Sequence, residues 1–416
     1  MSTKPVPAPS ASVSSIFAGD VPFRLQFLDG LRAVAALWVL WGHCRLFAYG
    51  WDSHKSLWMK PLNVLLYLHL GVVVFLVLSG FCLGLPVARN KNHLTVSTKA
   101  FFKARAFRIL PPYYAALVLI LLVNFFVPIS AWGRHPTGLT PTISWQILLT
   151  NFALIQDFFP LLNTINTPFW SIALEWHLYF LFPLLVWILR RSGGTAFLIT
   201  GGLLAWGLTA TSNNLPQPLA DWQMTVLRPP YFLFVFVIGI VSAWFVHGEN
   251  HQQRMQKKWR VLAPVGLFFL VLFVVLMQRY AIVDAQSVGP FFAREKIIDI
   301  TFATLVAIFL IWMSSIAPDH TARRFLENKI LTRTGSFSYS LYLVHIPIVA
   351  ATHHAIESLH LPTNYQHLHF ALLVVIGTGA SVAFAWVFSR VFETGLWWRL
   401  LNRKPGAFQR DNPVLD

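Results

Sequence analysis

The sequence predicts an all-α polytopic membrane protein of about ten transmembrane helices. Apolar runs long enough to cross a hydrocarbon core of ~30 Å recur along nearly the whole chain. Hydrophobic residues make up 56% of the 416 positions and charged residues only 12%, with a mean hydropathy of +0.58, which excludes an ordinary soluble domain. Lys and Arg gather on alternate sides of the apolar runs. The net charge of +16 is no sign of nucleic-acid binding, because the basic residues sit in short loops and build no extended basic face.

Read in order by length and apolarity, the spans fall at 27–48, 62–86, 109–128, 168–189, 195–211, 229–247, 261–279, 297–317, 336–356 and 369–395. The stretch 143–159 is apolar but short and flanked by prolines, which predicts a re-entrant or interfacial helix. With both termini in the cytoplasm, 23 of the 32 Lys and Arg fall on the cytoplasmic side, eight fall opposite, Arg45 among them, and Arg32 lies inside the membrane. Residues 1–22 are rich in Ser, Pro and Ala, lack a signal-peptide core and read as a disordered cytoplasmic tail. Residues 23–396 form the transmembrane domain and 397–416 a basic cytoplasmic tail. Cys44 and Cys82, both within spans, suggest neither a disulfide framework nor a metal site.

The first span carries Asp29, Arg32 and His43. Eleven residues at ~100° each make close to three helical turns, so Arg32 and His43 share one face, ~16 Å apart along the axis. Charged and titratable groups are costly at that depth, which makes a functional face the default reading. Asp29 sits near the cytoplasmic edge and has a plainer role open to it, pairing with Arg32 at i, i+3.

Arg105 and Arg108, ahead of Pro111 and Pro112, form a paired cationic clamp if their segment is helical. Guanidinium pairs suit phosphates, whether of a cytosolic nucleotide or of lipid headgroups. Glu175 falls about two turns into the fourth span, near the outer side, where a carboxylate needs a role. His177 points away from it and reads as a packing or interfacial residue. In the ninth span Ser338, Tyr342 and His345 recur at i, i+4, i+7, a stripe suited to interhelical hydrogen bonding or to lining a cavity. Ser338 and His345 lie ~10 Å apart along a helix and form no direct dyad. His353, His354, His367 and His369 read as interfacial and solvated.

Together these segments resemble the acyltransferase-3 family of integral-membrane acyltransferases. The resemblance runs from Phe27 to about Glu393 and rests on five stretches in order. They are Leu28-Asp29-Gly30-Leu31-Arg32 through His43; Gly71 to Phe81 with Ser79-Gly80-Phe81; Arg105-x-x-Arg108 with Pro111 and Tyr113; Trp170-Ser171 with Glu175, Tyr179 and Pro183; and Ser338-Tyr339-Ser340-Leu341-Tyr342-Leu343 with His345 and Pro347. The resemblance implies transfer of an acyl group, usually acetyl from acetyl-CoA, to a hydroxyl of a cell-surface carbohydrate or glycoside. It makes Arg32 and His43 the signature pair and Arg105 and Arg108 the CoA-side arginines. Glu393 departs from the family pattern, since no proline follows it closely, which leaves its role open. No hydrolase-like domain follows the membrane core, so a second catalytic step is expected from another protein.

On this reading His43 is the general base, or carries the acyl group covalently, and Arg32 stabilises charge on the CoA side, partly through Asp29. Arg105 and Arg108 hold the CoA phosphates, and Glu175 orients His43 or the acceptor hydroxyl. No metal is expected. The expected partners are acyl-CoA, a carbohydrate or glycoside acceptor, the lipid bilayer and polysaccharide-assembly proteins, with the bacterial inner membrane as the location. The competing class is a transporter or flippase of a lipid-linked sugar, whose pathway intramembrane charges mark equally well.

Overall fold

The computed structural model describes residues 25–50, 64–126, 143–156, 165–212, 231–247, 251–280, 288–359 and 366–393. The tails expected at 1–22 and 397–416 lie outside the described residues. Among those described, every regular element is helical. Seven helices are long and apolar enough to cross a membrane: Gln26–Tyr49, His69–Arg89, Thr98–Phe125, Phe169–Gly207, Trp259–Gln278, Lys296–Ser315 and Gln366–Phe392. Tyr231–His247 is equally apolar in character but shorter.

Helix α1 (Gln26–Tyr49) starts with Asp29 in its first turn, where a carboxylate suits the positive end of the helix, and stops at Gly50. Gly50 adopts φ 68° and returns its N–H to the Leu46 carbonyl, the left-handed stop that glycine alone takes without strain. Helix α2 (His69–Arg89) lies antiparallel to α1, with Gly71 against Ala35 and Val39, and Cys82 against Arg32. Helix α3 (Thr98–Phe126) begins eleven residues before the expected span, so Arg105 and Arg108 stand on the helix itself. Pro111 and Pro112 sit inside α3, each removing a backbone donor, a loss that neighbouring helices make tolerable in a membrane.

The short helix α4 (Trp145–Phe152) occupies part of the 143–159 stretch. Ser144 caps it, and Tyr113 and Tyr114 of α3 donate to the Asn151 and Phe152 carbonyls at 2.7 and 2.8 Å. Trp145, Leu149 and Phe152 stay exposed on its outer face. The two spans expected at 168–189 and 195–211 are one helical stretch, α5 (Phe169–Ser212), broken at Gly193 with φ 72°.

Helix α6 (Tyr231–His247) crosses α2 more closely than side chains would permit. A Cβ on Gly80 would collide with the Phe236 carbonyl, and one on Gly239 with the Val77 carbonyl. Gly80-x-x-x-Gly84 faces Gly239-x-x-x-Ala243, the small-residue spacing by which membrane helices bring their backbones together. Helices α7 (His251–Tyr280) and α8 (Val288–Ser315) follow. Asp299 of α8 is fully buried and ties three helices: it accepts from Tyr231 of α6 at 2.7 Å and lies 2.7 Å from His69 Nε2 of α2.

Two short helices, α9 (Thr321–Leu326) and α10 (Lys329–Ser336), pack under the start of α1, where Gly30 meets Leu326 and Gly335 meets Asp29. Phe337 separates α10 from α11 (Ser338–Glu357). Helix α11 runs parallel to α1, pairing His345 with His43 and His353 with Phe47 along their lengths. Helix α12 (Gln366–Leu372), a π turn at Leu373–Gly377 and α13 (Thr378–Phe392) return antiparallel to α1. Tyr49 meets His367, Cys44 meets the Leu373 carbonyl, and Trp41 meets Thr378.

Arg45, counted on the outer side at the end of the first span, is fully buried in the last turns of α1 and donates to the Gly50 carbonyl at 2.8 Å. One sequence expectation is corrected here. His353, expected to be solvated, is buried and lies 3.0 Å from His369, because α11 and α12 pack against each other at that level.

Candidate active site

Helices α1, α2, α3, α5 and α11 enclose a cavity of about 80 Å³. Its wall carries three arginines, Arg32, Arg105 and Arg108, facing one carboxylate, Glu175. Arg32 donates from Nη1 to Asp29 at 2.8 Å and from Nη2 to Cys82 Sγ at 3.1 Å. Asp29 thus forms the i, i+3 ion pair with Arg32 that their spacing allows.

Helical geometry places Arg105 and Arg108 on adjacent turns of one face, as the i, i+3 spacing requires. Arg105 lies 5.9 Å over the rings of both Phe101 and Tyr179, a cation held on aromatic faces. Its Nε is buried with no hydrogen-bond partner among the described residues. Nearly all buried donors in folded proteins are paired, so an orphan on a cavity wall marks a place where a ligand acceptor fits. Arg108 is exposed within the cavity and lies in the electrostatic reach of Glu175, Tyr179 and Glu393.

Glu175 accepts hydrogen bonds from Ser79 at 2.9 Å and from Tyr179, one turn along α5, at 2.5 Å. It thus stands among the arginines and not near the outer side as expected, its hydrogen bonds going to Ser79 and Tyr179. The pairing seen follows from α2 and α5 facing the same cavity. Ser338 and Tyr342 line the cavity from α11, and Tyr342 shares a 2.8 Å hydrogen bond with Ser171.

His43 lies beyond the cavity, buried, with a histidine of α11 beside it. His345 Nε2 stands 3.2 Å from His43 Nδ1, and His43 Nδ1 stands 2.9 Å from the Val39 carbonyl. Tyr342 links the two regions, with one side on the cavity and its ring 5.9 Å from that of His345. Arg32 and His43 thus occupy successive levels of one polar column along α1, with the arginine at the cavity and the histidine deeper.

Glu393 was absent from the expected site. It follows the end of α13, accepts from Ser340 at 2.7 Å and lies in the electrostatic reach of Arg108 and Arg32. The signal for it was a carboxylate at the edge of the last apolar run. Its partners come from three other helices and left no local trace.

The family described as acyltransferase domain, Acyl_transf_3, matches residues 25–390. Acyltransferase MdmB of Streptomyces mycarofaciens is 27% identical over 345 residues, covering 79% of this chain and 80% of that protein. O-acetyltransferase OatA of Staphylococcus aureus is 24% identical over 401 residues, covering 94% of this chain and 61% of that protein. No solved structure matches the chain. With the match spanning every helix that builds the cavity, the chain belongs to the acyltransferase-3 family.

Proposed function

We propose that this acyltransferase moves an acyl group, acetyl in the first instance, from cytosolic acyl-CoA to a hydroxyl of an extracytoplasmic carbohydrate or glycoside. The observation that carries the donor half is the three-arginine cavity with its Arg105 Nε, buried and without a hydrogen-bond partner among the described residues. Phosphates of CoA would lie at the mouth on Arg105 and Arg108, and the pantetheine arm would deliver the thioester inward. The reading takes ten spans with both termini cytoplasmic, so that the arginine end of α1 faces the cytosol and the His43 end the outer half of the membrane. Its setting is a bacterial plasma membrane, beside polysaccharide-assembly proteins.

His43 serves as general base. It takes the proton of the acceptor hydroxyl while the oxygen attacks the thioester carbonyl, and a tetrahedral oxyanion forms. Arg32 stabilises negative charge on the donor side, the larger electrostatic contribution in such reactions. Collapse breaks the C–S bond, the CoA thiolate recovers the proton from His43, and an ester and free CoA result. Tyr342, between cavity and histidine pair, turns aside to let the two substrates meet. Glu175 holds Ser79 and Tyr179 in place and balances the arginines.

The test is turnover of acetyl-CoA by detergent-purified protein offered soluble glycosides, read as free CoA thiol and as acylated glycoside by mass spectrometry. The expected result is thiol release coupled to ester formation. A transporter or flippase would leave acetyl-CoA intact and unbound.

A further inference from the structure

Two buried imidazoles that touch leave little freedom about where their protons sit, and here main-chain carbonyls remove what remains. His345 Nδ1 lies 2.8 Å from the Tyr342 carbonyl and 3.2 Å from the Leu341 carbonyl. A carbonyl oxygen only accepts, so the proton of His345 is on Nδ1. In the neutral ring Nε2 then carries a lone pair, and it faces His43 Nδ1 at 3.2 Å. His43 Nδ1 also faces the Val39 carbonyl at 2.9 Å. A bare Nδ1 would set its own lone pair against that oxygen, so His43 too is protonated at Nδ1. The two assignments agree without adjustment: His43 Nδ1–H is shared between Val39 and His345 Nε2.

From this chain of contacts we infer that His345 is the positioning residue of the reaction, holding His43 in the tautomer whose basic nitrogen is Nε2. This deepens the proposed function and rests on its assignment of His43 as base. His345 does the work that a carboxylate does in many hydrolytic sites, orienting the base through its far nitrogen. It does so as a neutral acceptor, which suits a site where a permanent charge would be costly. When His43 gains the hydroxyl proton at Nε2, the new positive charge is shared through Nδ1–H with the His345 lone pair. Both rings are buried, 5% and 1% exposed, so water offers little substitute for that acceptor. The parallel packing of α1 and α11 sets the pair, which places half of the proton-transfer machinery in the ninth predicted span.

Two substitutions separate this role from packing. His345→Phe keeps a ring and removes the acceptor, whereas His345→Gln offers an amide oxygen near the position of Nε2. In purified protein His345→Phe is expected to lower kcat about 10- to 100-fold, the effect of losing a hydrogen bond to a group that becomes charged. KM for acetyl-CoA should stay within about twofold, because the donor arginines are untouched, and His345→Gln should recover most of the loss. Wild-type kcat in His345→Phe, or a Gln variant as impaired as the Phe variant, overturns the inference. If neither variant folds, histidine-selective 15N NMR of the wild type decides it, with the His43 signals identified by their loss in His43→Ala. Protonated Nδ1 and bare Nε2 support the assignment, and the reverse tautomer defeats it. Turnover retained in His43→Ala would instead sink the general-base reading while leaving the tautomer assignment to stand on the spectrum.

Discussion

At the scale of single residues the candidate site has an arginine end, proposed to take the donor, and a histidine end, proposed to supply the base. Arg105 is the residue whose surroundings ask most plainly for a ligand, lying over two aromatic rings with a buried Nε that has no hydrogen-bond partner among the described residues. Arg105→Ala is therefore expected to raise the apparent KM for acetyl-CoA about 10- to 100-fold, the loss of one charge-assisted phosphate contact, with a smaller change in kcat. Initial rates over a range of acetyl-CoA concentrations check it, and an unchanged KM would remove Arg105 from the donor site. The Arg32–His43 column was legible in the sequence because eleven residues close three helical turns on one helix. The partner of His43 was not, since His345 lies 302 residues away and the register of α1 against α11 is written in no local pattern. Glu175 shows the same limit: expected near the outer side, it lies in the arginine cavity, because its level and facing depend on how α5 packs against α2.

At the scale of elements, the site depends on helices that approach more closely than their side chains would ordinarily allow. The α2–α6 crossing holds Ser79 and Cys82 at the cavity by fitting Gly80 and Gly239 against opposing carbonyls. Gly239→Val is expected to cut the yield of folded, monodisperse protein severalfold, since overpacking costs about 1–3 kcal/mol and here meets backbone. Gly207→Val, where an added Cβ meets nothing, should leave yield unchanged; size-exclusion profiles in detergent compare the two. Equal yields would mean the crossing is looser than its geometry indicates. This crossing could have been read in advance from Gly80-x-x-x-Gly84 and Gly239-x-x-x-Ala243. The Asp299 tie could have been suspected as well, because a carboxylate inside an apolar run is rarely idle, although its bonds to His69 and Tyr231 needed the fold. Helix ends were the least legible: α3 begins well before its apolar run because its amphipathic first turns pack on α5 through Phe101 and Phe182.

For the whole molecule, the proposed route passes an acyl group along α1 between two compartments. Composition and apolar runs were enough to recognise a helical membrane protein, because hydrocarbon demands internally satisfied backbones over a known thickness. The five ordered motifs were enough to recognise the acyltransferase-3 family, and the match over residues 25–390 agrees. The acceptor has no such signature, since contacts to a sugar hydroxyl leave no fixed pattern in a chain. The central claim is that His43 performs the proton transfer for an acyl group delivered from the arginine cavity. The most direct test compares acetyl-CoA-dependent acylation by purified wild-type and His43→Ala protein, each shown to be folded and to bind acetyl-CoA. The account predicts that His43→Ala binds the donor with unchanged affinity and turns over at background. Turnover near wild type in that variant would contradict it.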